Sequence, residues 1–487
     1  MFLLRFTRTS RRLAGLVLVW LVSVGAAVFW MWQMAVPLAG LTVLGGLAFG
    51  TVLALPYVAD RLLVPRLGTA GEVLLFPMAL AACEFLLGTF SPFGTAYGLL
   101  ATTQDGNLAL LQVISVVGPY GIGFLIGAFA TVANWAWAHP PARRTARTVG
   151  AYALVVAVVA VAGGARLAWF PVDTAQTVRV AGINPGMALL GIEMTALGEP
   201  RVDAATVGRL GQAAIPRFDP DTVRAESTAV IDGLFADTRS AARAGAKIVV
   251  WSENAARISA AGEATFVARA QDVARQEHIW LDVADNVHLP DPSRDRDETH
   301  LIGPDGNLLW TYQKAHPVPG LESYTPGDGA VPVVNTPYGR VANVICYDAD
   351  FPAMMHVDAD IMLVPGGDWP EMGRVHTEMS GLRAVENGYS LVRQDFDGGS
   401  EAFDHNGHSL SIQDTTVERS LWLTDVPTRS TTTAYRVIGD VFSWLCLAGT
   451  IFFIGVGISR PRRRESESPQ AHRARAGVGG TLSGGGG

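Results

Sequence analysis

Long apolar runs are the feature that most restricts how this chain can fold. A helix needs about 20 mostly apolar residues to cross the hydrocarbon core of a bilayer, and each run is that long or nearly so. The first is too long and too continuous for a cleaved signal peptide. The runs are Leu13–Trp32, Val36–Val58, Val73–Phe90, Leu108–Ala133, Val149–Phe170 and Val441–Ile458. We therefore expect five membrane helices within residues 1–170 and a sixth within 431–460.

Arginines in the loops predict how these helices are oriented. They occur before the first run, in the second and fourth loops and after the last run, whereas the first and third loops contain no Lys or Arg. Because cytoplasmic loops carry the excess of Lys and Arg, both termini are expected in the cytoplasm. Residues 171–430 then form an acidic extracytoplasmic domain. Residues 461–487, rich in Ser, Glu and Gly, are expected to be a disordered cytoplasmic tail.

The polar region between the fifth and sixth runs alternates short apolar strands with amphipathic helices, which predicts a layered α/β domain. Residues 184–220 lack a clear period and are interpreted as an insertion near the domain mouth, with a lid as one possible role. No basic stretch contains interleaved aromatic residues, so nucleic acid is not expected as a partner. The histidines suggest no metal site, and no cofactor is expected.

Three polar residues each follow a predicted buried strand. They are Glu253, Lys314 and Cys346, and Cys346 is the only cysteine in residues 171–430. A thiol is a good nucleophile as the thiolate, a carboxylate can accept its proton, and an ammonium can stabilise both the thiolate and an oxyanion. Glu322 is a candidate to orient the lysine or to assist as a second carboxylate, and the backbone N–H of Tyr347 is a candidate oxyanion donor.

The segments around these residues resemble the nitrilase superfamily, whose members use a Glu-Lys-Cys triad. Among its branches the chain is most similar to apolipoprotein N-acyltransferase, including parts of the apolar region. The segments that carry the resemblance are Trp251-Ser252-Glu253, Tyr312-Gln313-Lys314-Ala315-His316, Ile345-Cys346-Tyr347-Asp348, Arg383-Ala384-Val385-Glu386-Asn387-Gly388, Glu84-Phe85-Leu86-Leu87-Gly88 and Gly118-Pro119-Tyr120-Gly121. The resemblance implies an α-β-β-α sandwich inserted between membrane helices, five before it and one after.

Three segments depart from the family pattern. Asp348 stands where the family usually has Glu, Pro319-Gly320-Leu321-Glu322 replaces Pro-Phe-Gly-Glu, and Gly366-Gly367-Asp368-Trp369 replaces Asn-Asp-x-Trp. The predicted triad is unaffected. The departures lie where a substrate pocket is expected, so they bear on which substrate is used.

The resemblance implies a bacterial cytoplasmic-membrane enzyme that acts as a monomer. It would move an acyl chain from a phospholipid, through a thioester on Cys346, to the N-terminal amine of a diacylglyceryl lipoprotein. Glu253 would be the base, and Lys314 and Tyr347 would hold the oxyanion, with Glu322 and Asp348 in support. Two alternatives remain at this point: a membrane-tethered amide hydrolase with the same triad, and a non-catalytic membrane scaffold or lipid-binding protein.

Overall fold

The computed structural model describes residues 12–34, 39–139, 142–185, 220–289, 291, 294–416 and 421–460. Two expectations fall outside this part of the chain. Most of the proposed lid, residues 186–219, lies outside it, and so does the tail expected to be disordered, residues 461–487.

Six helices in the described residues are long and apolar enough to cross a membrane, five before the polar region and one after it. This matches the number expected from the apolar runs. They are α1 (Arg12–Gln33), α2 (Ala39–Leu63), α3 (Thr69–Phe90), α6 (Tyr120–Ala138), α7 (Arg143–Trp169) and α13 (Val441–Ser459). Helices α3 and α6 are the most buried by their neighbours, so they form the centre of the bundle.

The fourth apolar run is not one continuous helix, contrary to expectation. It is divided into α4 (Leu108–Leu111), α5 (Ile114–Val117) and α6. The break follows α5, where Gly118 has a φ of 74° and precedes Pro119. A left-handed glycine ends a helix readily, and proline favours the start of the next one. Apolar content alone therefore overestimated the length of this span.

The polar region forms two mixed β-sheets. The first has the strand order β13-β1-β2-β4-β5-β6, with β3 beside β4, and the second has the order β12-β11-β10-β9-β8-β7. The strands are β1 (Thr177–Ile183), β2 (Ile248–Trp251), β3 (Ala256–Ser259), β4 (Trp280–His288), β5 (Arg296–Ile302), β6 (Leu308–Gln313), β7 (Val333–Thr336), β8 (Gly339–Asn343), β9 (Ile361–Gly366), β10 (Ser390–Asp395), β11 (Gly399–Phe403), β12 (Ser409–Asp414) and β13 (Trp422–Pro427).

The two sheets pack face to face between helical layers, which confirms the predicted α-β-β-α sandwich. One hydrophobic cluster joins the sheets, for example Val250 of β2 with Leu363 of β9. A second cluster covers the outer face of the first sheet with α8 (Pro220–Arg243) and α9 (Glu263–Glu277). The remaining helices are α10 (Pro352–Met355), α11 (Pro370–Asn387) and α12 (Ala434–Ile438).

Helix α11 connects the sandwich to the membrane helices. Its Leu382 and Val385 share a hydrophobic cluster with Phe85 of α3, Ile114 of α5 and Tyr120 of α6. The helix ends at Asn387; the next residue, Gly388, has a φ of 80°, and a Cβ there would clash with the Thr431 carbonyl oxygen. The outer helical layer of the second sheet is therefore also the surface that docks on the membrane bundle.

Replacing Leu363 with alanine is expected to destabilise the sandwich. Leu363 is fully buried between the sheets, and Leu→Ala changes in cores cost about 2–5 kcal/mol because they remove contacts and leave a cavity. A thermal unfolding scan of the full-length protein in detergent should show a clearly lower Tm. Ile412→Ala on β12, at a side chain 49% exposed, is the matched control and should leave the Tm nearly unchanged.

Candidate active site

Cys346 lies at a sharp turn that follows β8. It begins the 3₁₀ helix Cys346–Asp350, it is 3% exposed, and its φ is 44°. A positive φ is uncommon for a residue with a Cβ. Such strained backbone concentrates at functional sites, where the surrounding structure holds it in place. The turn thus presents a single buried thiol at the edge of the second sheet.

Glu253 and Lys314 meet beside this turn. Glu253 follows β2 and Lys314 follows β6, and the Lys314 Nζ lies 2.5 Å from Glu253 Oε1. The ammonium is fully buried and Glu253 is 2% exposed. Both charges act on the Cys346 thiol. The structure therefore brings together the three residues that the sequence singled out at separate strand ends.

Two further carboxylates surround Lys314. Glu322 Oε1 accepts a hydrogen bond from Nζ at 2.9 Å, and its Oε2 accepts one from the Val318 N–H at 2.7 Å. Asp297 Oδ2 lies 3.7 Å from Nζ. The expected contact between Glu322 and the lysine is present in the structure. Asp297 was missed because it lies inside β5, where a lone acidic residue in sequence gives no sign of its position.

The pKa values of Lys314 and Asp297 are both raised, each as the net result of burial and of neighbouring charges. Burial opposes the charge of Lys314, but Glu253 and Glu322 outweigh it and raise the lysine pKa well above its usual value. Burial and Glu253 raise the pKa of Asp297 well above its usual range, against the attraction of Lys314. The lysine therefore stays charged at neutral pH, and Asp297 keeps its proton to a higher pH than an ordinary aspartic acid does.

The Cys346 thiol is protonated at rest. Burial raises its pKa, and Glu253 and Asp368 raise it further, whereas Arg393 and Lys314 lower it; the net pKa is well above the ordinary value. A thiol in this state needs a base at the moment of attack. Glu253 is suited to that role, because its Oε2 is buried with no hydrogen-bond partner among the described residues.

Asp348 joins the lysine loop to the cysteine turn. Its Oδ2 accepts hydrogen bonds from the Tyr312 hydroxyl at 2.7 Å and from the Ala315 N–H at 3.2 Å. Its Oδ1 accepts one from the His316 N–H at 2.8 Å. The carboxylate is fully buried. Asp348 therefore fixes the distance between the segment that carries Lys314 and the turn that carries Cys346.

Tyr347 faces the membrane part of the molecule. Its hydroxyl donates a hydrogen bond to the Pro92 carbonyl oxygen at 3.3 Å, and its ring meets Phe351 edge to face. His316 stacks on the same Phe351, with 3.6 Å between ring centroids. The residues that flank the cysteine thus pack against the loop that follows α3.

The loop after β9 closes the site from another side. A Cβ at Gly367 would lie 2.7 Å from Glu253 Oε2, so a larger residue would have to displace that carboxylate. Asp368 accepts a hydrogen bond from Arg393 at 2.7 Å, and the Arg393 Nη2 lies 3.5 Å from the Cys346 Sγ. Trp369 Nε1 donates to the Met34 carbonyl oxygen at 2.6 Å. No sequence pattern singled out Arg393, which lies inside the buried strand β10.

Comparison with known protein families agrees with both parts of the structure. The carbon-nitrogen hydrolase family matches residues 208–413. The apolipoprotein N-acyltransferase N-terminal domain matches residues 1–132. The fold and the Cys-Glu-Lys cluster thus define a nitrilase-type α/β domain attached to a membrane bundle.

Similar proteins were found for most of the chain and for shorter stretches. Apolipoprotein N-acyltransferase of Geobacter metallireducens is 25% identical over 422 residues, which is 79% of this chain and 74% of that protein. Deaminated glutathione amidase of Dictyostelium discoideum is 29% identical over 171 residues, 30% of this chain and 57% of that protein. An amidase from Nesterenkonia sp. AN1, solved with butyramide, has a TM-score of 0.42 at 20% identity and covers 55% of this chain and 96% of its own. The chain belongs to the apolipoprotein N-acyltransferase branch of the nitrilase superfamily.

Asp348→Asn is expected to weaken the link between the two halves of the site. Both carboxylate oxygens of Asp348 accept hydrogen bonds, whereas an amide has only one acceptor oxygen. In the variant, the NH₂ group would therefore face an N–H or a hydroxyl and leave that donor without an acceptor. Leaving buried groups unpaired costs about 1–3 kcal/mol. The expected result is a lower Tm and a slower modification of Cys346 by substrate. Asp414→Asn is the control, because Asp414 is exposed and bonds to nearby Thr416.

Proposed function

We propose that this protein is a membrane N-acyltransferase that moves an acyl chain from a phospholipid to the N-terminal amine of a lipoprotein, through a thioester on Cys346. The observation that carries the proposal is the buried Cys346 turn, flanked by the Glu253–Lys314 pair and packed on loops of the membrane bundle. The membership of the chain in the acyltransferase branch supports the choice of substrates.

The first step forms the thioester. The Cys346 sulfur attacks the carbonyl carbon of a phospholipid ester while Glu253 takes the thiol proton. The oxyanion that develops is stabilised by the Lys314 ammonium and the Tyr347 backbone N–H. The ester C–O bond then breaks, and Glu253 returns the proton to the departing oxygen. A lysophospholipid leaves, and the acyl chain stays on sulfur.

The second step transfers the acyl chain to nitrogen. The neutral α-amine of a diacylglyceryl-cysteine attacks the thioester carbonyl carbon, and the same groups stabilise the oxyanion. The C–S bond breaks and an amide bond forms. Glu253 accepts the proton that the amine loses, and the sulfur regains it. No external energy source is required, because an ester supplies the thioester.

Contacts with the membrane bundle support lipid substrates. The cysteine turn touches the loop after α3 through Tyr347 and Pro92, and the loop after β9 touches the end of α1 through Trp369 and Met34. Both bundle loops belong to the side on which charge patterning predicts the extracytoplasmic domain. An acyl chain held in the outer leaflet would then have a short path to Cys346.

The proposal includes a location and an orientation in the membrane. We place the protein in the bacterial cytoplasmic membrane, with the sandwich outside the cytoplasm and a monomer as the working unit. On the opposite side, Arg61 lies near the end of α2, Arg66 follows that helix, and Arg143 and Arg144 begin α7. This arrangement agrees with the excess of basic residues in cytoplasmic loops.

Incubation of the purified protein with a diacyl phospholipid should add one acyl chain to Cys346. Intact-mass analysis followed by peptide mapping would detect the adduct and its position. Cys346→Ser should give no acyl adduct, because a hydroxyl is a far weaker nucleophile than a thiol in this site. Glu253→Gln should reduce the rate of adduct formation by about 10²–10⁴-fold, since it removes the general base.

Addition of a synthetic diacylated lipopeptide with a free N-terminal amine should discharge the adduct and yield the N-acylated peptide. The same lipopeptide with an acetylated N-terminus is the matched control and should leave the adduct in place. Discharge to free fatty acid at the same rate with or without the amine would indicate a hydrolase instead. Absence of any Cys346 adduct with phospholipid would contradict the proposal.

The proposed orientation predicts which cysteine probes are reached from outside intact cells. Ile412→Cys, on the exposed edge of β12, should react with a membrane-impermeant maleimide in intact spheroplasts. Ala142→Cys, at the start of α7, should react only after the cells are lysed. The unchanged protein gives the background from its own three cysteines. Labelling in the reverse pattern would show that the sandwich is cytoplasmic.

A further inference from the structure

Arg393 is a cation outside the predicted triad that lies in contact with the candidate nucleophile. Its Nη2 lies 3.5 Å from the Cys346 Sγ, and its Nη1 lies 3.5 Å from the Cys346 carbonyl oxygen. The side chain is fully buried. Two carboxylates hold the guanidinium: Asp368 at 2.7 Å from Nη2 and Asp395 at 3.3 Å from Nε.

The surroundings of Nη2 have the composition of a small metal site. Cys346, Asp368 and His376 each offer a ligand atom, and these atoms lie within 4.8 Å of one another. Arg393 Nη2 contacts all three residues, at 3.5 Å, 2.7 Å and 3.0 Å respectively. A fixed guanidinium nitrogen therefore occupies the position that an ion would need. The protein supplies the positive charge from its own chain.

Lys314 alone is poorly suited to stabilise charge on the sulfur. It already contacts Glu253 at 2.5 Å and Glu322 at 2.9 Å. Negative charge develops on Sγ twice, once when the thiol loses its proton and again when the thiolate is expelled. Arg393 is in contact with that atom, and its planar fork can hold two carboxylates and still direct a donor at sulfur.

A buried chain of polar contacts runs from Arg393 to the membrane bundle. Asp368 Oδ1 lies 2.8 Å from His376 Nδ1, and His376 Nε2 lies 2.8 Å from Asp350 Oδ2. Thr95, in the loop after α3, places its hydroxyl 3.2 Å from Asp350 Oδ1 and 3.0 Å from the Asp350 carbonyl oxygen, and its backbone N–H donates to that carbonyl oxygen at 2.9 Å. The side chains of Asp368 and His376 are 4% exposed and that of Asp350 is 3% exposed, and Thr95 is 2% exposed.

The membrane end of this chain is closely fitted. Gly94 has a φ of 52°, and a Cβ there would lie 2.5 Å from the Asp350 carbonyl oxygen. Arg383 of α11 donates to the Thr95 hydroxyl at 2.9 Å and to the Ala349 carbonyl oxygen at 3.2 Å. The loop after α3 is thus fixed to the same 3₁₀ helix that carries Cys346.

We propose that Arg393 is a further catalytic residue that stabilises negative charge on the Cys346 sulfur, and that Asp368, His376, Asp350 and Thr95 are positioning residues that hold it from the membrane bundle. This inference rests on the proposed role of Cys346 as the nucleophile. It makes the loop after α3 part of the reaction centre, since its Thr95 completes the support of the guanidinium.

The test compares three variants along the chain with a control on the same helix as His376. Arg393→Lys keeps a charge but loses the fork, and should slow formation of the phospholipid-derived adduct about 100-fold, the loss typical of a removed charge-stabilising donor. His376→Gln and Thr95→Val should slow it progressively less. Arg374→Lys, at an exposed pair with Glu378, should retain the unchanged protein's rate.

A second readout separates catalysis from stability. The pH dependence of Cys346 alkylation by iodoacetamide, followed by peptide mapping, reports the thiol pKa. The charged groups that act on this thiol are Glu253, Asp368, Lys314 and Arg393. Arg393→Lys moves a cation away from the sulfur. His376→Gln removes a group that offsets the negative charge of Asp368, and this charge acts on the thiol. Both should shift the alkylation curve to higher pH, whereas Arg374→Lys should not.

The inference would be overturned if the folded variants load acyl chains at the rate of the unchanged protein and keep its alkylation curve. It would also be overturned if the variants change only the Tm. If Arg393→Lys does not fold, His376→Gln and Thr95→Val decide the question by the same two measurements. An unchanged protein that forms no acyl adduct, together with shifted alkylation curves in the variants, would reject the acyl-donor proposal and leave the role of Arg393 standing.

Discussion

The buried Lys314 ammonium is the constraint on which the rest of the site depends. A buried charge is tolerated only when it is paired and hydrogen-bonded, and Lys314 has Glu253 and Glu322 in direct contact. Those carboxylates come from separate segments, so β2, β6 and the loop after β6 must meet at one point. The α-β-β-α sandwich satisfies this requirement by ending its strands at a common edge. Fold and site are therefore specified together.

The membrane bundle does more than anchor the sandwich. Helix α11 buries Leu382 and Val385 among residues of α3, α5 and α6, so its position is set by the bundle. His376 lies on the same helix and reaches both Asp368 and Asp350. Any shift of α11 against the bundle would therefore move groups next to the cysteine. This coupling explains why loops of the bundle and polar site residues occur in one compact region.

The sequence predicted the parts of the site that follow short, strongly apolar strands. Glu253, Lys314 and Cys346 were found because β2, β6 and the strand before the cysteine are easily recognised, and a polar residue just after each stands out. Asp297 and Arg393 were missed because each lies inside a buried strand. Their roles depend on how two sheets stack, which no local pattern encodes. The break at Gly118 was missed for a related reason, since apolar content continues through it.

The departures from the family pattern have physical explanations in this structure. Asp348 is one methylene shorter than Glu, yet its oxygens receive the N–H groups of Ala315 and His316 directly, so the lysine loop lies correspondingly close to the cysteine turn. A Cβ at Gly366 would lie 3.0 Å from the Arg393 guanidinium carbon. The adjacent Gly367 likewise leaves space for the Glu253 carboxylate, which a Cβ would approach to 2.7 Å. Gly366 at the end of β9 and Gly367 directly after it therefore leave room for an arginine and a glutamate beside one thiol.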